Sequence, residues 1–175
     1  SDLQCIFKVD KMPPYEFLYN GVEMYRIHNK ELPEGLTDDH VEKLSQVAYD
    51  VAYAHFDLKL SLGKELTSLS IGPFLNELAD RMNDHIIDQN QTLKHKPFEL
   101  YFGHDSTLIP LLCALRVTKQ VQEWPGVGSG IEFELYKQTS TNNYYVKMLY
   151  NGRQLILPGA HSYYCPYPLF KRICR

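Results

Sequence analysis

Four consecutive residues in the middle of the chain, His104, Asp105, Ser106 and Thr107, concentrate more chemistry than any other stretch. They stand between two apolar runs, FELYF at 98–102 and LIPLLCAL at 108–115. An ionisable pair between apolar runs needs a partner, because unpaired buried charge is costly. If the first run is extended and the second helical, the pair falls at a helix N-terminus. There, backbone N–H groups and the helix dipole favour an anion. In open α/β sheets, ligands bind beyond the carboxyl ends of strands, at turns of this kind. A histidine, a carboxyl acid and two hydroxyls in such a turn suit an oxyanion, phosphate in particular. The plainer reading makes Asp105 an N-cap and nothing more, since Asp is a favoured cap.

The remaining reactive side chains are scattered. No two of the histidines at 28, 40, 55, 85, 95 and 161 stand at i, i+4. His55 reads as a packing residue on the core side of a helix, and His40 and His85 as surface helix residues. The four cysteines contain no C-x-x-C pair and match no zinc pattern. Cys113, inside the second apolar run, reads as a buried thiol. Cys5, Cys165 and Cys174 lie near the chain ends, in surroundings where exported proteins place disulfides. Asn90-Gln91-Thr92 is a glycosylation sequon, compatible with an extracellular or lysosomal route.

The elements that must position the central motif can be read from periodicity. Residues 12–35, rich in Pro, Gly, Asn and aromatics, read as irregular. Thr37 or Asp38 caps a helix over 38–56, with Val41, Leu44, Ala48, Val51 and Ala52 at helical spacing. A second helix is expected to start at Ser68 or Ser70, with Gly72-Pro73 in its first turn. Residues 98–102 then read as a buried strand and 105–116 as a helix. From Ile131 the pattern alternates at period two, with Asn151-Gly152 as a hairpin turn. A loop and a short helical turn close the chain. The order of elements predicts an α/β protein with one sheet. A helical segment is expected over 1–95 and an α/β core segment over 96–175.

Composition sets outer bounds. The 175 residues carry 18 basic and 21 acidic side chains, a net charge of -3, with no basic block longer than a dipeptide. That argues against nucleic acid as a partner, whose binding rests on clustered Lys and Arg. No apolar run reaches the ~20 residues of a membrane-spanning helix. The chain begins at Ser1 without a signal-like leader, which suggests a processed or partial form.

The stretch YFGHDSTLIPLLCAL resembles the second signature of the histidine acid phosphatases, a branch of the phosphoglycerate mutase-like superfamily. The segments CIFKVDKM, ELPEGLTDDHVEKLSQVAYD, IEFELYK, YYVKMLYNGRQLILPG and CPYPLFK resemble its surroundings in that family, so the likeness extends over nearly all the chain. The resemblance implies a partial phosphoglycerate mutase-like fold: a mixed sheet with flanking helices, plus part of a helical cap within 1–95. It implies that His104 contacts the phosphoryl oxygens, that Asp105 is the general acid, and that Ser106 and Thr107 help to bind substrate. No metal or cofactor is implied.

The family's first signature, R-H-G-x-R-x-P, carries the nucleophilic histidine and phosphate-binding arginines. No Arg-His dipeptide occurs here, and the six arginines are dispersed at 26, 81, 116, 153, 172 and 175. The chain therefore resembles a C-terminal half that needs an N-terminal partner segment, and is expected to be inactive alone. The 98–102 strand, deprived of the strand it would pair with, is expected to drive homo-oligomerisation. Two other readings stand beside this one. One is a non-catalytic interaction or antigenic fragment on the same scaffold. The other is a metal-dependent HD-type phosphohydrolase, in which the His-Asp pair sits mid-helix.

Overall fold

A computed structural model describes residues 2–8, 10–87 and 98–175. The chain forms two compact units, Ser1–His55 and Phe56–Arg175. The first contains three helices: α1 (Asp2–Phe7), α2 (Tyr15–Ile27) and α3 (Asp38–His55). Helix α2 corrects the reading of 12–35 as irregular. Pro14 occupies its N-cap, where a missing N–H is harmless, and Gly21 lies on an exposed face. Leu18 and Val22, one turn apart, are buried in a cluster with Leu36, Val41 and Leu44. Helix α3 occupies the expected span, bar its last residue. The Thr37 hydroxyl accepts from the His40 amide at 3.4 Å, and His40 Nδ1 accepts from the Thr37 amide at 3.2 Å. Histidine thus takes the place usually held by Glu or Gln in a capping box. His55, expected to face the core, is exposed in the last turn.

The second unit is a mixed α/β assembly. Its long helix, α4 (Ser61–Ile87), starts several residues before the expected Ser68. Pro73 lies in its middle rather than its first turn. Pro73 has no N–H to donate to the carbonyl of Leu69, a residue that is 71% exposed. The buried stripe of α4 runs through Gly63, Thr67, Ile71, Leu75, Ala79 and Met82. A Cβ on Gly63 would stand 2.2 Å from the carbonyl oxygen of Asp57, so only glycine permits this approach. The Thr67 hydroxyl is satisfied inside the same contact, donating to the Gly63 carbonyl at 2.7 Å.

Helices α5 (Asp105–Ala114) and α6 (Thr118–Val121) precede an antiparallel sheet of β1 (Ile131–Lys137), β2 (Tyr144–Tyr150), β3 (Arg153–Leu155) and β4 (Cys165–Pro166). Strand β2 is central, with β1 on one side and β3 and β4 on the other. Asn151 and Gly152 form the expected two-residue turn, both at positive φ (49° and 76°). One face carries Phe133, Leu135, Val146 and Met148, and Phe133 meets Phe170 of α7 (Tyr167–Ile173) at 5.8 Å between ring centres. On the other face Lys147 binds Glu134 at 2.8 Å, and the Tyr136 hydroxyl donates to the same carboxylate oxygen at 2.8 Å. These bonds raise the Lys147 pKa and lower that of Glu134. The boundary between the compact units falls at 55/56, and within the second unit α4 packs on α5 and α7.

Two expectations need correction. Residues 98–102 are not a strand: no described strand pairs with them, and Phe98, Leu100, Tyr101 and Phe102 are exposed. Strand character needs a ladder partner, and none of the four strands lies alongside. Cys165 and Cys174 are free thiols rather than disulfide halves, each buried. Cys165 enters β4 against Val146, and Cys174 caps α7. The Cys5 side chain and the Asn90 sequon lie outside the described residues. Among those described, no helix is long and apolar enough to cross a membrane.

Gly63→Ala should lower stability by about 1–3 kcal/mol in urea denaturation, since backbone crowding cannot relax by a rotamer change. Burial pushes the Cys113, Cys165 and Cys174 thiols from the ordinary 9.0 up to about 12, about 11 and about 12. The folded state therefore favours the neutral thiols. Their contribution is fully present below pH 9 and is lost as pH rises from there toward 11–12. Urea midpoints measured against pH should decline over that window. The same burial should block all three thiols from an aromatic disulfide reagent until denaturant is added; rapid native labelling of Cys113 would show α5 to be misplaced.

Candidate active site

The turn that carries the chemical cluster is held by α4. Arg81 donates from Nη1 to Glu99 Oε1 at 2.8 Å, while its Nε and Nη2 bind Glu77 one turn back, at 2.9 and 2.6 Å. The Tyr101 hydroxyl donates to the other Glu99 oxygen at 2.7 Å, and its ring meets Phe74 edge-on at 5.1 Å. The carboxylate bonds, to Glu77 first and then Glu99, raise the Arg81 pKa. The bond to Glu99, followed by burial, raises that of Tyr101. Glu99 and Tyr101 thus pin the extended run to α4 just before the chain turns.

His104 is the N-cap of α5, with extended backbone (φ -122°, ψ 176°), and Asp105 is the first helical residue. The cap bond runs the opposite way to the expected Asp105 cap: the Thr107 hydroxyl accepts from the His104 amide at 3.3 Å. Gly103 makes this possible. A Cβ there would stand 3.0 Å from both Cβ and Oγ1 of Thr107, tighter than ordinary contact. Asp105 Oδ1 accepts from the Ser106 amide at 2.7 Å, so its carboxylate lies across the first turn. His104, Ser106 and Thr107 are exposed and Asp105 is half-buried. Beyond them Ile109, Pro110, Leu111, Leu112 and Cys113 are buried, which anchors the helix behind the cluster.

All four motif residues thus meet at one helix start. The described arginines with partners are engaged elsewhere: Arg153 with the Gln120 carbonyl, Arg175 with Asp80, Arg81 with the two glutamates. Arg116 lies past the far end of α5. The pair stands at a helix start, not mid-helix as an HD-type metal site requires. Sequence reading missed Gly103, Glu99 and Arg81. The glycine before the pair and the alternation of Glu99 and Tyr101 were the available signals, but their partner Arg81 is 18 residues upstream of Glu99.

The family follows from comparison with known proteins. Residues 14–151 match the model of the histidine phosphatase superfamily (branch 2), and the chain belongs to that superfamily. It is 29% identical over 170 residues to counting factor 60 of Dictyostelium discoideum, covering 97% of this chain and 38% of that protein. It is 29% identical over 107 residues to lysophosphatidic acid phosphatase type 6 of Mus musculus, covering 61% of this chain and 25% of the other. A "probable acid phosphatase" of Dictyostelium discoideum is 25% identical over 170 residues, covering 89% of this chain and 34% of that protein. The chain spans between a quarter and two fifths of the length of these relatives.

Thr107→Ala should cost about 1 kcal/mol of stability through loss of the α5 cap, and Thr107→Ser should recover most of it. Equilibrium urea denaturation of the two variants tests this; equal losses would assign the effect to the methyl group instead.

Proposed function

We propose that residues 98–115 are the phosphate-contacting part of a histidine acid phosphatase site, acting on phosphate monoesters and completed by a segment outside these 175 residues. The observation that carries this reading is the meeting of His104, Asp105, Ser106 and Thr107 at the start of α5, in a chain of the histidine phosphatase superfamily. The completing segment would supply the nucleophilic histidine and the arginines of the R-H-G-x-R-x-P signature, which this sequence lacks. Relatives whose names specify lysophosphatidic acid and 2-phosphoxylose have the phosphate monoester in common, and that class is the proposed substrate.

In the reaction the nucleophilic histidine attacks phosphorus, forming a P–N bond as the P–O bond to the alcohol breaks. Asp105 gives its proton to the departing alkoxide. Water then attacks the phosphohistidine, the P–N bond breaks, and the water proton returns to Asp105. His104 and the hydroxyls of Ser106 and Thr107 hold the equatorial oxygens, where charge gathers in the transition state. The start of α5 contributes its dipole to the same oxygens.

Export to the lysosome, the cell exterior or an anchored ectodomain is part of the proposal, supported by the Asn90 sequon. A gel shift on enzymatic deglycosylation tests it. The absence of an Arg-His dipeptide favours a second reading, a non-catalytic fragment on the same scaffold. Sequencing the parent transcript upstream of Ser1 separates the two.

The 175-residue chain alone should not turn over p-nitrophenyl phosphate above background, a deficit on the order of 10⁶ by analogy with nucleophile removal elsewhere. In the intact protein, Asp105→Ala should slow phosphoenzyme formation from an alkyl phosphate by about 10²–10⁴. From p-nitrophenyl phosphate the loss should be clearly smaller, because nitrophenolate leaves without a proton. His104→Ala should slow both substrates alike. Single-turnover phosphoenzyme measurements read all four rates, and equal losses for Asp105→Ala on the two substrates would remove it from the role of proton donor.

A further inference from the structure

Arg81 of α4 clamps the run that leads into the His104 turn. Its Nη1 donates to Glu99 Oε1 at 2.8 Å, and its Nε and Nη2 donate to Glu77 Oε1 at 2.9 and 2.6 Å. All three guanidinium nitrogens are thus committed to carboxylates of this chain. Glu99 is held on its second oxygen as well, by the Tyr101 hydroxyl at 2.7 Å. Glu77 lies one turn back on the same helix, so the guanidinium is oriented by its own helix and aimed at Glu99. The Arg81 and Glu77 side chains are 34% and 53% exposed, and so open an ion pair adds little to stability. What a fork of directed, charge-assisted bonds does supply is geometry.

The geometry concerns the turn. Glu99 and Tyr101 set where the chain enters it along α4. The buried residues Ile109 to Cys113, on a helix that packs on α4, set where the chain leaves it. His104 and Asp105 lie between these two anchors. With the exit fixed and the entrance released, the backbone at His104 is free to shift. We propose that Arg81 and Glu99 are positioning residues, setting where His104 and Asp105 stand relative to the phosphorus without touching the substrate. This rests on the reading of residues 98–115 as the phosphate-contacting part of the site. A misplacement of about 1 Å at reacting groups costs about 10² in rate. The clamp therefore acts on rate far more than on stability.

In the intact protein, Arg81→Met and Glu99→Ala should each slow phosphoenzyme formation by about 10–10² in single turnover, well below the melting temperature. Inhibition by inorganic phosphate should stay nearly unchanged, since Arg81 makes no ligand contact. The double variant should be no slower than the slower single one, because either change alone opens the clamp. Arg81→Lys should recover only part of the rate, a single ammonium replacing the fork. A second arm needs no phosphate chemistry. In the 175-residue chain, Arg81→Met should speed hydrogen exchange at the His104 and Ser106 amides and leave those of residues 111–113 unchanged. Wild-type rates in the Arg81 and Glu99 variants, beside slowed His104→Ala and Asp105→Ala, would overturn the inference while leaving the site reading in place. So would additive losses in the double variant, or unchanged exchange at the turn. Phosphate inhibition weakened in proportion to the rate would make Arg81 a ligand and overturn it too. Unslowed His104→Ala and Asp105→Ala would remove the site reading, and this inference with it.

Discussion

The second unit is assembled on α4, and the constraint that sets it is the close approach at the ends of that helix's buried stripe. Gly63 lets the Asp57 backbone lie against the first turns, and Ala79 leaves its carbonyl open to the Tyr167 hydroxyl at 2.7 Å. Lys171 adds a bond to Asn83 at 3.1 Å one turn further on. Helix α7 is thereby fixed to α4, and Phe170 carries the sheet with it through Phe133. A larger residue at 63 would push the Asp57 backbone off α4, and side-chain repacking cannot restore a lost backbone contact.

A different side of α4 holds the turn that carries the His104-Asp105 pair. Phe74, Glu77 and Arg81 hold Tyr101 and Glu99, and α5 packs on the same helix. The turn at Gly103-His104 is therefore held from both directions. Within it the small size of Gly103 and the hydroxyl of Thr107 set the His104 backbone in an extended conformation at the helix start. The pair is thus placed on rigid elements rather than on a free loop, which the proposed phosphoryl transfer would need, because positioning supplies much of such a rate.

The same tether leaves an apolar run uncovered by the rest of these 175 residues. The tether to α4 uses alternate residues, so the intervening Phe98, Leu100 and Phe102 must point the other way. What holds the site also presents an unsatisfied face.

Elements whose signals lie within a few residues were legible before any packing was considered. The α3 cap at Thr37, the Asn151-Gly152 turn, the buried helix after the His-Asp pair and the grouping of four reactive residues at its start all follow from short-range rules. Buried Cys113 was legible for the same reason, from its apolar neighbours. Helix α2 was hidden by Pro14 and Gly21, local turn signals overridden by the burial of Leu18 and Val22 in the α2–α3 cluster. The early start of α4 was equally hidden, since Gly63 reads as a breaker until the Asp57 backbone lies against it. Residues 98–102 show the limit most clearly. Their alternation and β-branched-poor but aromatic composition suit a strand, yet a strand exists only with a neighbour to share its hydrogen bonds, and whether one is present is decided in three dimensions. The Arg81–Glu99 tether, the free state of Cys165 and Cys174 and the exposure of His55 are likewise distances between remote parts of the chain, which only the packed structure sets.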